Sequence, residues 1–347
     1  MQILFYMKPT FFAISLLILF AQTAQGQSPL FKQITDSLDA QNFVQCTYSV
    51  SEPEHAVGYG FGSNDAKNSG LTGNSLMVVG SLSKQFTAVM VLQAYDKGLI
   101  KLHCPISTYL PELSQSWADT VTVHHLLTHT HGFKSINEPL KFKPGSAFDY
   151  SQLGFGMLSQ ILESVYHQSF VTISHNFFEE NGMHNTRHPM DSIPRDAVEK
   201  AYEWNEETDI TDITEVPFEV STQNFVAAGS FISTVNDFFI WNQRLHTHHL
   251  LKRSTYRLMF RPKKNAVRDH PIFGRINYGY GTTNIRLNGT KYIGQTGYAP
   301  GFSSLNFYCP KKKIGLTILS NRTCPTSLNA TFTEHLRFLK TITDLID

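Results

Sequence analysis

A serine and a lysine three residues apart stand at the start of the apolar segment "VVGSLSKQFTAVMVLQAYDKG", residues 78–98. Residues i and i+3 share one face of a helix, so the Lys84 amine can reach the Ser81 hydroxyl. A helix N-terminus also offers free N–H groups and partial positive charge, which suit a developing anion. The chemistry would be nucleophilic attack by Ser81, with Lys84 activating it. The ordinary alternative is a helix capped by Ser81 or Ser83, with Lys84 in solvent.

Two later segments favour the catalytic interpretation. "PGSAFDYSQLGFGMLSQILE", residues 144–163, places Tyr150 just before a helix, with Gln152 two residues further on. "GQTGYAPGFSSLNFY" reads as a strand edge followed by a Gly/Pro turn, which brings backbone N–H groups to the surface. That strand edge carries Gln295, Thr296 and Gly297. Together the three segments offer a hydroxyl, an amine, a phenol and backbone N–H donors, which favours Ser81 as a nucleophile over Ser81 as a cap.

Size and charge limit the remaining choices. The chain has 347 residues, 41% of them hydrophobic, which is enough for one large or two intermeshed domains with a sizeable core. Its net charge of +1 gives no sign of a nucleic-acid surface or a polybasic membrane patch. Four cysteines are few for a disulfide scaffold, and their spacing matches no zinc ribbon. We therefore expect buried free thiols, no nucleic-acid partner and no cofactor.

The N-terminus resembles an export signal. Lys8 precedes the apolar stretch "FFAISLLILF", and Ala24-Gln25-Gly26 supplies small residues around a cleavage point. The apolar run is short for a membrane span, although an uncleaved anchor is the alternative. We predict a signal peptide at residues 1–26, a periplasmic or secreted mature chain, and no stable membrane span after cleavage.

The elements that must position these residues form an α+β pattern. Short strands are predicted at 43–50 and 55–62, and a helix follows that stops at Gly98. Residues from about 105 to 225 read mainly as helices and loops, whereas strands dominate from 277 onward until a closing helix at about 326–345. This order predicts an antiparallel sheet that is closed by the two termini and flanked by helices. The predicted sheet domain comprises 27–105 and 226–347, with an inserted mainly helical domain at 106–225.

The chain resembles the serine β-lactamase and penicillin-binding-protein superfamily. It is most similar to the class C β-lactamase branch, which also holds D-Ala-D-Ala carboxypeptidases, D-amino-acid peptidases and family VIII esterases. Besides the segments above, the resemblance rests on "GLIKLHCPISTYLPEL", "VTVHHLLTHTHGF", "GMHNT", "AAGSFISTVNDFFIW" and "YGYG". It covers nearly the whole mature chain and implies a β-lactamase/transpeptidase-like fold.

The resemblance implies a role for each site residue. Ser81 would attack a carbonyl to form an acyl-enzyme, and a partly desolvated Lys84 would lose its proton more easily than in water. Tyr150 would carry the proton between nucleophile, leaving group and water, provided that a cation lies near its phenol. The backbone N–H groups of Ser81 and Tyr298 would form the oxyanion hole. Substrate would be bound by Gln152, Gln295, Thr296 and Gly297.

Two positions depart from the family pattern. The usual Tyr-x-Asn is Tyr150-Ser151-Gln152 here, and the usual Lys-Thr-Gly or His-x-Gly is Gln295-Thr296-Gly297. A cation at position 295 would attract a substrate carboxylate and stabilise the Tyr phenolate, and neutral Gln295 does neither well. We therefore expect poor hydrolysis of β-lactams, and turnover of a carboxylate-bearing β-lactam that rises on replacement of Gln295 by Lys or His. Solvated loop positions are expected for the nearby lysines Lys134, Lys141 and Lys143.

The histidine-rich stretches are not expected to bind metal. "HHLLTHTHGF" contains His124, His125, His129 and His131, but it matches the metal-free "LLTHTSG" of the family and lacks the Asp-His of a binuclear hydrolase. "HTHH", residues 246–249, lies among polar residues and reads as a solvated turn. No metal site is therefore predicted.

Two functions of different classes remain. The first is an exported serine hydrolase that acts through acyl-Ser81 on a small-molecule ester or amide, including a D-amino-acid peptide or a β-lactam. The second is a catalytically weak homologue that binds a ligand as a receptor or scaffold, which two altered motifs would suit. Ser81, Lys84 and Tyr150 favour the enzyme. The sequence identifies neither the acyl and leaving groups nor the oligomeric state.

Overall fold

The computed structural model describes residues 29–39, 46–51, 71–191, 195–205, 207, 213–217 and 223–347. The predicted signal peptide and the strand predicted at 55–62 lie outside these residues. Within the described ranges, no helix is both long and apolar enough to cross a bilayer.

Strands and helices alternate in blocks along the chain. The strands are β1 (Cys46–Ser51), β2 (Met77–Val78), β3 (Ala201–Trp204), β4 (Ile213–Val216), β5 (Ile232–Ser233), β6 (Val267–His270), β7 (Gly274–Tyr278), β8 (Thr283–Leu287), β9 (Thr290–Ala299), β10 (Phe302–Cys309), β11 (Ile314–Ser320) and β12 (Arg322–Thr323). The helices are α1 (Pro29–Asp39), α2 (Ser83–Asp96), α3 (Val123–Leu127), α4 (Gln152–Tyr166), α5 (Phe170–Glu180), α6 (Gln223–Gly229), α7 (Val235–His246), α8 (Arg253–Phe260), α9 (Leu328–Thr331) and α10 (Thr333–Ile346).

A seven-stranded antiparallel sheet organises the molecule. Its strand order is β1-β11-β10-β9-β8-β7-β6, and β1 pairs with β11 from Cys46 opposite Ser320 to Ser51 opposite Gly315. All seven residues of β11 are buried, which explains why "IGLTILS" is almost continuously apolar. The predicted α+β fold, with one antiparallel sheet closed by the two ends of the chain, is confirmed.

Each face of the sheet is covered by helices from a different part of the chain. Ile34 of α1 and Phe338 of α10 are buried in one apolar cluster with Tyr48 and Ile318 of the sheet. On the opposite face Asn242 of α7 donates to Asn306 of β10 at 2.9 Å. The alternation of side chains along each strand separates these two layers.

Helix α2 runs through the largest apolar cluster of the molecule. Phe86 of α2 packs against the rings of Phe178, Phe238 and Trp241, at centroid distances between 4.7 and 5.4 Å. The Thr87 hydroxyl donates to the Ala227 carbonyl of α6 at 2.7 Å. These contacts fix the helix at whose start Ser81 and Lys84 lie.

Several short strands were not predicted. Strands β3 and β4 form a three-stranded sheet with β12, within a region that reads as helices and loops. Four-residue strands with polar positions give too few repeats for a period of two to stand out. The closing helix is also two helices, since α9 ends at Thr331 and α10 begins at Thr333. The division into a sheet domain and a helical domain stays a prediction.

The four cysteines are free thiols. Cys46, Cys309 and Cys324 are buried as expected, and Cys104 is half-buried.

Buried histidines make the fold sensitive to acid. Burial lowers the pKa of His131 and of His270 to about 3, and that of His335 to about 4. In the unfolded chain these rings titrate near pH 6.5, so below that pH the unfolded state binds protons that the folded state does not. The free energy of unfolding should therefore fall between about pH 6.5 and 4, by up to about 1.4 kcal/mol per pH unit for each ring. Urea denaturation at pH 7.5, 6 and 5 measures this, and a constant unfolding free energy would contradict it.

Candidate active site

Ser81 lies in a one-turn 3-10 helix, Gly80–Leu82, immediately before α2. The residue before this turn is held from two sides, because the Val79 carbonyl accepts from the Ser304 hydroxyl at 2.8 Å and the Val79 N–H donates to Phe231 O at 2.9 Å. No side chain caps α2, and the Ser83 hydroxyl accepts instead from the Phe231 N–H at 3.1 Å. The capping interpretation of Ser81 and Ser83 is therefore wrong.

Lys84 is fully buried, and its amine forms three hydrogen bonds of normal geometry. Nζ donates to Gln152 Oε1 at 2.5 Å and to the Ala228 carbonyl at 2.6 Å, and it lies 3.2 Å from Ser81 Oγ. The first two neighbours can only accept, so they take two N–H groups of the tetrahedral nitrogen. The third position faces the Ser81 hydroxyl. In the charged form that position is an N–H that donates to Ser81; in the neutral form it is a lone pair that accepts the Ser81 proton.

Burial favours the neutral form of this lysine. Desolvation lowers the pKa of Lys84, and the Arg268 charge lowers it further, whereas Tyr150 opposes both effects. Among the described residues no carboxylate forms an ion pair with Lys84. A buried lysine without such a counter-ion gives up its proton more readily than lysine in water, and its neutral amine is then available as a base.

Tyr150 lies between cations. Lys84 Nζ is 4.6 Å and Arg268 Cζ is 4.4 Å from the centroid of its ring, and the ring of His129 lies against it with centroids 4.4 Å apart. Burial would raise the pKa of Tyr150, but the charges of Lys84 and Arg268 and the neighbouring Ser81 hydroxyl outweigh it, so the pKa is lowered. The hydroxyl is buried and forms no hydrogen bond of normal geometry within the described part of the chain. It is therefore free to exchange a proton with an incoming group.

Gln152 begins α4, and its position follows from a local capping signal. The Ser151 side chain accepts from the Gly154 N–H at 3.3 Å and so sets the start of the helix. The amide oxygen of Gln152 then faces Lys84 across the site. The structure thus brings Gln152 together with Ser81, Lys84 and Tyr150.

Strand β9 carries the third segment directly against the Ser81 turn. A Cβ atom at Gly297 would lie 2.2 Å from the Val79 carbonyl and 3.0 Å from the Ser81 nitrogen. A Cβ atom at Gly80 would lie 2.4 Å from the Tyr298 nitrogen. Only glycine permits this approach, and it places the backbone nitrogens of Ser81 and Tyr298 on adjoining segments, as an oxyanion hole requires.

Replacing Gly80 with alanine tests this approach. Gly80 has φ +52°, and the new methyl group would meet the backbone of Gly297 and Tyr298, which cannot rotate away. We expect kcat/KM to fall about 10²–10³-fold, the usual effect of losing one oxyanion donor.

Gly98→Ala is the matched control, since Gly98 has φ +78° and no atom within 4 Å of the added methyl group. It should cost stability of about 1–2 kcal/mol and leave kcat/KM unchanged. Equal losses of activity in both variants would argue against a role for the Gly80 contact.

Arg268 is the site residue that sequence reasoning missed. Its Nη1 donates to Gln295 Oε1 at 3.3 Å, so the expectation that this part of the site lacks a cation is wrong. Arg268 and His270 lie two residues apart on β6, so their side chains point to the same face of the strand. His270 Nε2 lies 2.8 Å from the Thr296 hydroxyl. Three strand spacings separate β6 from β9, further than an arginine extends, so the sheet must curl to bring them together. "VRDH" carries no signal from which this could be predicted.

A hydrogen-bonded network of neutral side chains, formed by His129, Tyr278 and Gln295, lies beside the reacting groups. His129 Nδ1 accepts from the Ser151 N–H at 3.1 Å, which leaves the ring proton on Nε2, 3.2 Å from the Tyr278 hydroxyl. Burial holds the pKa of His129 well below its usual value. Gln295 Nε2 donates to the same Tyr278 hydroxyl at 3.1 Å. The amide of Gln295 thus turns its nitrogen to Tyr278 and its oxygen to Arg268.

The other histidines have protein partners. His124 Nδ1 lies 2.8 Å from the Tyr280 hydroxyl, and His125 Nδ1 accepts from the Thr122 N–H at 3.2 Å. Within the ranges that the structure describes, no three His, Cys, Asp or Glu side chains gather as a metal site would require.

Two minor predictions have different outcomes. The "HTHH" stretch is not simply a solvated turn, because the His246 ring stacks on Tyr308 with centroids 3.6 Å apart. The loop lysines do lie in solvent: Lys134 and Lys143 are away from the site contacts described above, and Lys141 pairs with Asp149 at 3.1 Å on the surface.

Comparison with known proteins gives consistent matches. A family model described as Beta-lactamase matches residues 39–337. Penicillin-binding protein 4* of Bacillus subtilis (strain 168) is 24% identical over 285 residues, which are 72% of this chain and 61% of that protein. Putative penicillin-binding protein PbpX of the same strain is 24% identical over 84% of this chain and 73% of its own length.

Among solved structures, the D-amino acid amidase from Ochrobactrum anthropi SV3, complexed with L-phenylalanine amide, has a TM-score of 0.78. The match covers 91% of this chain and 98% of that one, at 17% sequence identity. At this identity the likeness concerns the fold.

Proposed function

The chain belongs to the beta-lactamase family, and we propose that it is a serine hydrolase that cleaves ester or amide bonds through an acyl-enzyme on Ser81. The observation that carries this proposal is the environment of the Lys84 amine. Two carbonyl oxygens take two of its N–H groups, and its third position faces the Ser81 hydroxyl at 3.2 Å. Burial favours the neutral amine, whose lone pair can accept the Ser81 proton.

Acylation then proceeds in steps that conserve atoms and charge. Ser81 Oγ bonds to the substrate carbonyl carbon while its proton passes to the Lys84 amine or the Tyr150 phenolate. The N–H groups of Ser81 and Tyr298 bind the tetrahedral oxyanion. Collapse of this intermediate breaks the bond to the leaving group, which takes the proton from Tyr150. Water repeats the sequence in reverse, releases the acid and restores Ser81.

Three features of the site residues support this scheme. Gln152 orients the Lys84 amine, and Gly297 allows β9 to approach the nucleophile. The charge of Arg268, and that of Lys84 once it has taken up a proton, favours the Tyr150 phenolate. Fold similarity to a D-amino acid amidase makes amides and esters of D-amino acids the first substrates to test. Export through residues 1–26 remains part of the proposal.

Active-site labelling tests the function. Wild-type protein and Ser81→Ala are exposed separately to a fluorophosphonate and to benzylpenicillin, and the adducts are located by mass spectrometry. We expect a fluorophosphonate adduct on Ser81 in the wild type and none in the variant. An additional penicilloyl adduct would place β-lactams among the ligands. Absence of any Ser81 adduct would contradict the hydrolase and favour the ligand-binding homologue.

A further inference from the structure

We propose that Arg268 supplies the positive charge of this acylation site, holding the Tyr150 phenolate and binding an anionic group of the substrate, and that Gln295 orients it. This inference rests on the proposed function, and it replaces the expectation that a lysine at position 295 would improve turnover of carboxylate-bearing substrates. The charge comes from edge strand β6, whereas the family pattern places it on the strand that carries Gln295.

The Arg268 guanidinium has donors to spare. It has five N–H groups in a planar fork, and within the described residues one of its nitrogens bonds to Gln295. No described carboxylate forms an ion pair with it. One face of the group lies over the Tyr150 ring, 4.4 Å from the centroid, next to the reacting groups. A half-buried guanidinium in this state is suited to bidentate binding of a carboxylate.

Gln295 fixes the direction of this charge. Its Oε1 accepts from both Arg268 Nη1 and the Thr296 N–H, at 3.3 and 3.2 Å, while its Nε2 donates to Tyr278. The side chain is fully buried, so its amide cannot turn without losing these bonds. Gln295 is therefore a positioning residue for Arg268.

A lysine at position 295 would conflict with this arrangement. It would place an ammonium group in a buried site beside the guanidinium, where like charges repel and desolvation adds to the penalty. The site thus contains one positive charge at this end, which Arg268 carries and Gln295 orients.

The Arg268 charge acts on a small set of groups around Tyr150. The charged or titratable groups that face its ring from described elements are Lys84 of α2, His129 after α3, Arg268 of β6 and Tyr278 of β7. His129 is neutral and Tyr278 is protonated, because burial lowers the pKa of the first and raises that of the second. The Arg268 charge lowers the pKa of both Tyr150 and Lys84. On removal of Arg268, the phenolate and the neutral amine should therefore both form at higher pH, which moves the acidic limb of the profile in one direction.

A charge-exchange series tests the inference. Arg268→Gln, Gln295→Lys and the double variant are compared with wild type in the rate of Ser81 labelling by a fluorophosphonate from pH 5 to 9. Protection by N-acetyl-D-alanine and by its uncharged amide is measured in the same assay. Arg268→Gln should slow labelling at pH 7 about 10–100-fold and move the acidic limb of the pH–rate profile to higher pH. N-acetyl-D-alanine should protect the wild type better than its uncharged amide does, and this difference should disappear in the variant. Gln295→Lys should also slow labelling, and the double variant should recover at least tenfold over either single variant.

Arg275→Gln is the matched control, because Arg275 lies on the same hairpin, is exposed, and pairs across the strands with Asp269. It should change neither the pH profile nor the protection. Thermal melting curves check that each variant is folded. An unchanged acidic limb and unchanged protection in Arg268→Gln, with Ser81 still labelled, would overturn the role of Arg268 alone. A wild type that is never labelled at Ser81 would instead overturn the proposed function.

Discussion

Replacing Ser81 with alanine should lower kcat/KM for any hydrolysed ester or amide by about 10⁵–10⁶-fold, the scale that loss of a nucleophile produces in serine hydrolases. The variant should fold normally, since Ser81 does not cap α2 and its hydroxyl contacts Lys84. Steady-state kinetics with an amide or ester of a D-amino acid measures the loss, and the melting temperature checks the fold.

Ser83→Ala provides the matched control for Ser81. Ser83 lies two residues further on, and its hydroxyl accepts from the buried Phe231 N–H. Its removal leaves that donor unsatisfied, which should cost about 1–3 kcal/mol of stability, with little change in kcat. A Ser81→Ala variant that keeps more than about one hundredth of the wild-type rate would contradict the acyl-enzyme, because the serine hydroxyl that faces the Lys84 amine is then gone.

Lys84→Met should have the second largest effect. Methionine keeps the length of the side chain but removes the amine, so the Ser81 proton loses its acceptor. Proton transfer by a positioned side chain contributes about 10²–10⁴-fold, and a loss of kcat/KM in this range is expected. Gln152 Oε1 and the Ala228 carbonyl lose their donor, which should cost about 1–3 kcal/mol of stability each, and this cost is partly offset because no buried amine has to be desolvated.

Lys97→Met separates this effect from a general loss of positive charge. Lys97 follows the same helix but is exposed, and its Nζ lies 5.3 Å from the centroid of the Tyr166 ring. Its kinetics should match the wild type. If Lys84→Met retained wild-type kcat/KM, Tyr150 would have to act as the base without help from Lys84.

The catalytic segments could be found in the sequence because each one lies beside a local signal. Ser81 and Lys84 share one helix face, and Tyr150 precedes a helix whose start Ser151 caps. Arg268 could not be found in this way. Its position depends on the curling of β6 toward β9, a tertiary property that leaves no pattern within four residues.

The large sheet was predictable for a similar reason. Its inner strands are long and apolar. Strands near both ends of the chain with helices between them predicted that the two groups of strands join in one sheet, as β1 and β11 do. Strands β3 and β4 escaped prediction because each has four residues, and their small sheet is completed by the pairing of β3 with β12, more than one hundred residues later. Edge hairpins and short sheets depend on tertiary contacts that local propensity does not encode.

The pairing of β1 with β11 also has a consequence for biosynthesis. Residues 46–51 are made more than 260 residues before their partners at 315–320. A nascent chain must therefore hold β1 without this partner until β11 has been synthesised. Such long-range closure slows folding, and a truncated chain that lacks β1 would expose the apolar strand β11 as an edge prone to aggregation.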